Sequence, residues 1–171
     1  MSNYITIRWA KPVSRDHILD TEHHTAEEKL QFNATRKLDY VTGTNARTGE
    51  KRVYIGKAGD DSVYDRLKDH KDERDILNGC KNLQVRIGSI IDIGDLHVSR
   101  RDEDLVDQAE SILIHEFKNF SYDLGDMMID NEKKVDSYTK HYEIDGIYNE
   151  GYIDEMPQKL NTLSHNAIDK K

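Results

Sequence analysis

Val53-Tyr54-Ile55-Gly56-Lys57-Ala58-Gly59-Asp60-Asp61-Ser62-Val63-Tyr64-Asp65-Arg66-Leu67-Lys68-Asp69-His70 is the stretch on which the reading of this 171-residue chain turns. Val53, Tyr54 and Ile55 are β-favouring, and Gly56 ends the run. Lys57–Asp61 is turn material, with Gly59 able to take a positive φ. Ser62-Val63-Tyr64-Asp65 fits the Ser-x-x-acid signature of a helix N-terminus. Val63 and Leu67 begin an apolar stripe, while Arg66 and His70, four residues apart, share another face. A strand carrying a tyrosine therefore passes through a tight loop into a helix that presents Arg and His.

Upstream, Leu38–Val41 and Lys51–Ile55 read as the two arms of a hairpin, joined by the polar loop Thr42–Glu50. Further back, Tyr4–Trp9 alternates, with Ile5, Ile7 and Trp9 on one side, as a half-buried strand does. Asp16, His17, Asp20, His23 and His24 lack the spacing of a zinc site and read as solvated loop residues. Thr25–Glu28 is a second capping signal, opening a short helix with Leu30 on its apolar side.

Downstream, the helix from Val63 is expected to run to about Leu77, where Asn78-Gly79 stops it. Leu83, Val85 and Ile87 mark a third strand, with Ile90–Ile93 extending it or pairing separately. From Asp102 to Phe117, Leu105, Val106, Ala109, Ile112, Leu113 and Phe117 form one helical stripe, with Glu110 at its edge. A carboxylate among apolar neighbours is costly unless it is paired, metal-bound or able to reach water. Ile144–Tyr148 reads as a hairpin turning at Asp145-Gly146, and residues 157–171 as a loose polar tail.

Composition narrows the class. The formal charge is −8, which argues mildly against a phosphate-rich partner. The charge is uneven: residues 1–100 carry 17 Lys/Arg against 16 Asp/Glu, and Arg36–Lys57 carries six basic residues against two acidic ones. The candidate hairpin is thus locally basic, and the acidity lies in the C-terminal part. Cys80 is alone, so no intramolecular disulfide can form, and a reducing cytoplasm is the expected setting. No apolar run approaches the roughly 20 residues of a membrane span.

With its hairpin, turn, cap, Arg66 and His70 in order, the stretch resembles the GIY-YIG nucleases, whose second motif is Tyr54-Ile55-Gly56 in this sequence. The likeness spans roughly residues 37–120. It implies an α+β fold: a small central antiparallel three-stranded sheet flanked by helices, with N- and C-terminal elaborations. Residues 121–156 would then be an accessory aromatic and acidic subdomain of a single domain. Where the family has Gly-Ile-Tyr, this chain has Leu38-Asp39-Tyr40, so Tyr40 is the first-motif tyrosine or else a cross-strand packing partner. Glu110-Ser111-Ile112-Leu113-Ile114 matches the family's metal-binding glutamate pattern, with Glu116 in reserve. The alternative for Glu110 is a boundary carboxylate. An asparagine after the glutamate helix often touches the phosphate in the family; Asn119 or Asn131 could serve, and neither has the family's spacing.

The resemblance implies a DNA endonuclease of restriction or phage type, using Mg²⁺ or Mn²⁺ to leave 5′-phosphate and 3′-hydroxyl ends on double-stranded DNA. Tyr54 would act as general base. A tyrosine near its unperturbed ~10 is a poor base at neutral pH, so cations must stand close, and Lys57 is one. Arg66 would clamp the scissile phosphate through its planar fork. Tyr40 and His70 would orient water or phosphate, and Glu110 would hold the metal. Arg47, Lys51 and Arg52 would contact the DNA backbone. Cutting both strands with one site per chain would call for a homodimer. The alternative is a non-catalytic phage-type protein on the same fold, inhibiting a DNA-binding protein by acidic mimicry.

Overall fold

The computed structural model describes residues 3–72, 77–94, 102–119, 128–129, 144–152 and 156–161. Its strands are β1 (Tyr4–Trp9), β2 (Val13–Ser14), β3 (Lys37–Asn45), β4 (Lys51–Ala58), β5 (Cys80–Asp92), β6 (Met128–Ile129), β7 (Gly146–Gly151) and β8 (Lys159–Asn161). Its α-helices are α1 (Arg15–Leu19), α2 (Ala26–Phe32), α3 (Val63–Asp72) and α4 (Asp102–Asn119).

The fold is α+β, but the sheet is not a small three-stranded one. Among the described residues it has eight strands, in the order β6-β4-β3-β5-β1-β7-β8, with β2 also on β5. The expected antiparallel trio is its β4-β3-β5 portion. The sheet is larger because β5 is continuous over 13 residues. One run of β5 pairs with β3 and the next pairs with β1. Ile90–Asp92 is therefore the second half of one strand, not a separate element.

The described C-terminal strands belong to the same sheet. Gly146 does not turn a hairpin; it begins β7, which runs parallel to β1 from Tyr4↔Gly146 to Trp9↔Gly151. The Asp145 carboxylate accepts a hydrogen bond from the Asn3 N–H at 2.7 Å. The Asp145 N–H donates to the Asn3 carbonyl at 2.8 Å. A side chain at position 146 would meet the Leu160 carbonyl and the Tyr4 ring, so this start of the strand requires glycine. Lys159–Asn161, expected in a loose tail, forms β8 on β7.

Two apolar layers lie on opposite faces of the sheet. On one, α4 sets Ile112, Leu113 and Phe117 against Ile5, Ile7, Leu38, Tyr40, Val53 and Ile55. On the other, α1, α2 and α3 contribute Ile18, Phe32, Val63 and Leu67 to a cluster with Val41, Ala58, Val85 and Ile87. Strand alternation makes this division: neighbouring residues of β3 and β4 belong to different layers.

The N-terminal helices are held locally. Thr25 and Glu28 complete a capping box on α2. The helix is anchored by Phe32, whereas Leu30, expected on the apolar side, is 78% exposed. His17 and His24 are not merely solvated. Both rings meet Phe32 edge-on, and His17 Nε2 lies 2.9 Å from Glu28 Oε1. Leu77 lies in a turn with φ 56°, so the helix from Val63 does not reach it. Among the described residues no helix is long and apolar enough to cross a membrane.

Candidate active site

Three elements converge on the face that carries α3. The β3–β4 ladder pairs Asp39 with Gly56 and Val41 with Tyr54, so these four residues share that face. After β4 the chain turns, and Ser62 caps α3: its Oγ accepts the Asp65 N–H at 3.0 Å and donates to Asp65 Oδ2 at 2.6 Å. Val63 and Leu67 are buried against the sheet. That anchoring holds Arg66, on the intervening turn, over Gly56.

The Arg66 guanidinium is the centre of the cluster. Its Nε donates to Asp39 Oδ1 at 2.8 Å, and its Nη2 donates to the Tyr54 hydroxyl at 3.2 Å. Asp39 is fully buried, and among the described residues its Oδ2 has no hydrogen-bond partner. A Cβ on Gly56 would lie 2.8 Å from Asp39 Oδ2 and 2.9 Å from Arg66 Cζ, in the space the guanidinium fills. The glycine of Tyr-Ile-Gly thus makes room for the arginine. Burial on its own disfavours the Arg66 charge, but Asp39 and then Tyr54 outweigh it and raise the group above its ordinary value. Arg66 is a fixed cation at any working pH.

Beside it opens a pocket of about 120 Å³, lined by Lys57, Gly59, Arg66, Asp69 and His70 among others. The His70 ring lies 6.4 Å from that of Tyr54. Tyr54, Arg66 and His70, singled out from their spacing, are therefore brought together. Lys57 is at the edge of this pocket, and its Nζ pairs with the Asp107 carboxylate on α4.

Tyr40 is not brought to the cluster. It lies one residue out of register, pairs with Ile55, and points into the α4 layer. There its ring is 6.1 Å from Trp9 and 5.9 Å from Phe117, and the Arg86 guanidinium lies 5.6 Å away. The residue facing Tyr54 across the ladder is Val41. Of the two readings of Tyr40, the packing partner is the one its surroundings describe.

Glu110 comes from α4 on the opposite face, one helical turn beyond Asp107, and is 6% exposed; Glu116 is fully buried. Among the described residues no group of three or more His, Cys, Asp or Glu is placed to hold a metal. Arg47 sits at the tip of the β3–β4 hairpin, where its N–H donates to Asn45 Oδ1 at 2.9 Å. Lys51 is exposed, and Arg52 pairs with Glu50 at 3.2 Å. Lys51 and Lys57 are six residues apart, so the basic hairpin end lies about 20 Å along the strand from the pocket. Asn119 closes α4 with its side chain outside the described residues, as is all of Asn131.

Sequence reasoning missed Asp39 and Asp107. Asp39 had a signal: an acid between apolar residues in a strand must have a partner, and Arg66 is the cation its register allows. Asp107 had none, because the helix that brings it to Lys57 is 50 residues away.

No protein-family profile matches the chain, and no solved structure matches it. A segment is similar to the arginine–tRNA ligase of Helicobacter acinonychis (strain Sheeba), 34% identical over 61 residues. That segment is 36% of this chain and 11% of the ligase. It is a local likeness and assigns no family.

Proposed function

We propose that this chain is a metal-dependent DNA endonuclease, hydrolysing phosphodiester bonds to 5′-phosphate and 3′-hydroxyl ends, of restriction or phage type. One observation carries the reading: Arg66, locked by Asp39, donates to the Tyr54 hydroxyl beside a pocket that also takes in Lys57 and His70. Phosphodiester hydrolysis needs fixed positive charge where the phosphate oxygens gain negative charge. A guanidinium immobilised before substrate arrives supplies it without reorganisation.

In this mechanism Tyr54 relays the proton of the attacking water: its oxygen accepts that proton as its own hydroxyl proton passes to water in the adjoining pocket. Arg66 steers that oxygen and meets a non-bridging phosphate oxygen with its remaining N–H groups. His70 and the Lys57 edge orient water and phosphate. Tyr40 has no part. Mg²⁺ characteristically binds one or two carboxylates and completes its shell with water and substrate phosphate oxygens. Glu110 and Asp107 are the carboxylates that would hold it, and α4 meets the Arg66 pocket at its Lys57 edge, where Asp107 is paired with Lys57. Bound there, the ion would polarise the phosphoryl group and stabilise the leaving oxygen. Arg47 and Lys51 offer exposed cations to the flanking duplex.

The test is conversion of supercoiled plasmid to nicked or linear form by purified protein with Mg²⁺ or Mn²⁺, followed by end-labelling of the products. No conversion at protein excess would reject catalysis and leave the binding-protein alternative. Conversion that survives Arg66→Ala would place the chemistry elsewhere.

A further inference from the structure

On the same face of the sheet as Arg66 lies a second, much larger cavity. It is a groove of about 670 Å³ between α2 and the β5–β1–β7 strip, lined among others by Leu30, Ile91, Tyr152, Arg8 and Lys37. Its volume is in the range of small-molecule sites, about 300–1,000 Å³. The mechanism above does not use it.

Two properties of its lining point to an occupant. First, the described residues include four exposed large apolar side chains, and three of them, Leu30, Ile91 and Tyr152, line this groove at 78%, 45% and 50% exposure. Single exposed apolar residues are ordinary; convergence of most of them on one cavity is not. Second, the rim carries two cations, Arg8 and Lys37, beside two acids, Glu27 in the lining and the Glu150 that Arg8 bonds. Arg8 is held there by its Nε bond to Glu150 at 2.6 Å, with its side chain still 63% exposed. An apolar and aromatic interior with cationic side chains at its rim suits a flat ring on an anionic backbone.

Position adds the third argument. Lys37, in the groove, pairs across the ladder with Ala58, which lines the Arg66 pocket. One lining residue of each cavity is thus a cross-strand neighbour of the other, about 4.8 Å away. The backbone between them is pinned: Arg36 N–H donates to the Gly59 carbonyl at 2.9 Å, and Val63 N–H to the Ala34 carbonyl at 3.2 Å. A polynucleotide strand with its phosphate at Arg66 would have the groove beside it.

We propose that this groove seats an unpaired nucleobase of the strand held at Arg66, with Tyr152 and Leu30 as its apolar walls and Lys37 and Arg8 facing the adjoining phosphates. Base–aromatic stacking is tolerant of sequence because every base has a π-face. The groove therefore adds affinity for unpaired or extruded nucleotides and selects little among bases. The inference rests on the nuclease reading for its substrate class, but not for its outcome.

The experiment uses the full chain and a fluorescein-labelled 12-nucleotide single-stranded oligodeoxynucleotide in EDTA, read by anisotropy, with plasmid cleavage in Mg²⁺ measured in parallel. Tyr152→Ala is expected to weaken oligonucleotide binding about tenfold, and Leu30→Ser to weaken it less. Both side chains are largely exposed, so melting temperatures should stay at wild type. An oligonucleotide carrying 5-iododeoxyuridine should crosslink to Tyr152 on irradiation. If both variants bind as wild type and no crosslink maps to the groove, the proposal is overturned, whether or not plasmid is cut. If binding weakens and crosslinks form but plasmid stays intact, the groove stands and the nuclease reading fails. If the wild type is a dimer that Tyr152→Ala dissociates without changing binding, the proposal is overturned and the groove belongs to a copy–copy interface.

Discussion

Tyr54 and Tyr40 sit on adjacent strands of one hairpin, yet they live in different chemistries. Tyr54 lies under a guanidinium beside an open pocket; Tyr40 lies among Trp9, Phe117 and the α4 layer, 1% exposed. Nothing about the residue type makes the difference. Tyr54 pairs with Val41 and Tyr40 pairs with Ile55, so a register offset of one residue sends the two rings to opposite faces. The α3 face is polar at its centre and organised around a buried ion pair. The Tyr40 surroundings on the α4 face are mainly large apolar and aromatic side chains, with the Arg86 guanidinium over the ring.

The sharpest way to break that contrast is catalytic. Tyr54→Phe and Arg66→Ala should each lower plasmid cleavage by about 10²–10³, the usual loss for one transition-state group. Tyr40→Phe should stay within about twofold of wild type. Equal losses at both tyrosines would dissolve the distinction between the faces.

A second contrast is thermodynamic. Asp39→Ala leaves the Arg66 charge largely buried without its carboxylate, and urea unfolding should register about 3–5 kcal/mol of lost stability. Replacing both partners, Asp39→Leu with Arg66→Met, should recover most of it, since well-packed apolar groups can substitute for a buried pair. A double variant as unstable as Asp39→Ala would argue that the pair is not what Asp39 contributes.

Smaller again is the effect of a single methyl group. Gly56→Ala intrudes on the guanidinium and Gly88→Ala on the Trp9 ring, 2.7 Å from its Cζ3. Each should cost about 1–3 kcal/mol by thermal melting. Only the Gly56 penalty should shrink in the Asp39→Leu, Arg66→Met background. Equal shrinkage at Gly88 would mean the two faces are coupled.

The smallest effect is one of pH. Hydrogen bonds from the Thr25 backbone and then from His17 hold the Glu28 carboxyl down at about 2, against an ordinary 4.5. A carboxyl lowered by folding stabilises fully above 4.5, and that contribution fades as pH falls toward 2. The stability difference between wild type and Glu28→Gln, read by urea unfolding, should therefore narrow across pH 4.5 to 2. A constant difference would remove the linkage.

Local chemistry was legible in the sequence. Ser62 caps α3 as its spacing implies, Ile5, Ile7 and Trp9 bury as their alternation implies, and Arg66 meets Tyr54 because four elements of the stretch sit within one turn-and-helix unit. Partner choice over distance was not legible. Alternation says that Tyr40 and Tyr54 each point to a face, but only the bond register says which, and a hairpin loop of uncertain length conceals it. The Asp145-Gly146 pair has turn chemistry, and here it starts a strand because Asn3 and the edge of β1 are available to it. Leu30 shows the converse: helical spacing predicted an inward face, and the anchoring of α2 by Phe32 turned it outward.

The parallel pairing of β1 with β7 has a consequence for biosynthesis. Tyr4 and Gly146 are 142 positions apart, and at about 5–20 residues per second the ribosome takes on the order of ten seconds to pass from one to the other. Throughout that interval the edge of β1 has no β7 to cover it, while Ile5, Ile7 and Trp9 also await α4. An uncovered strand edge is a template for pairing with other chains. The nascent protein should therefore be most prone to self-association after β5 has emerged and before β7 has. A chain stalled in that window should bind holdase chaperones that the finished protein ignores.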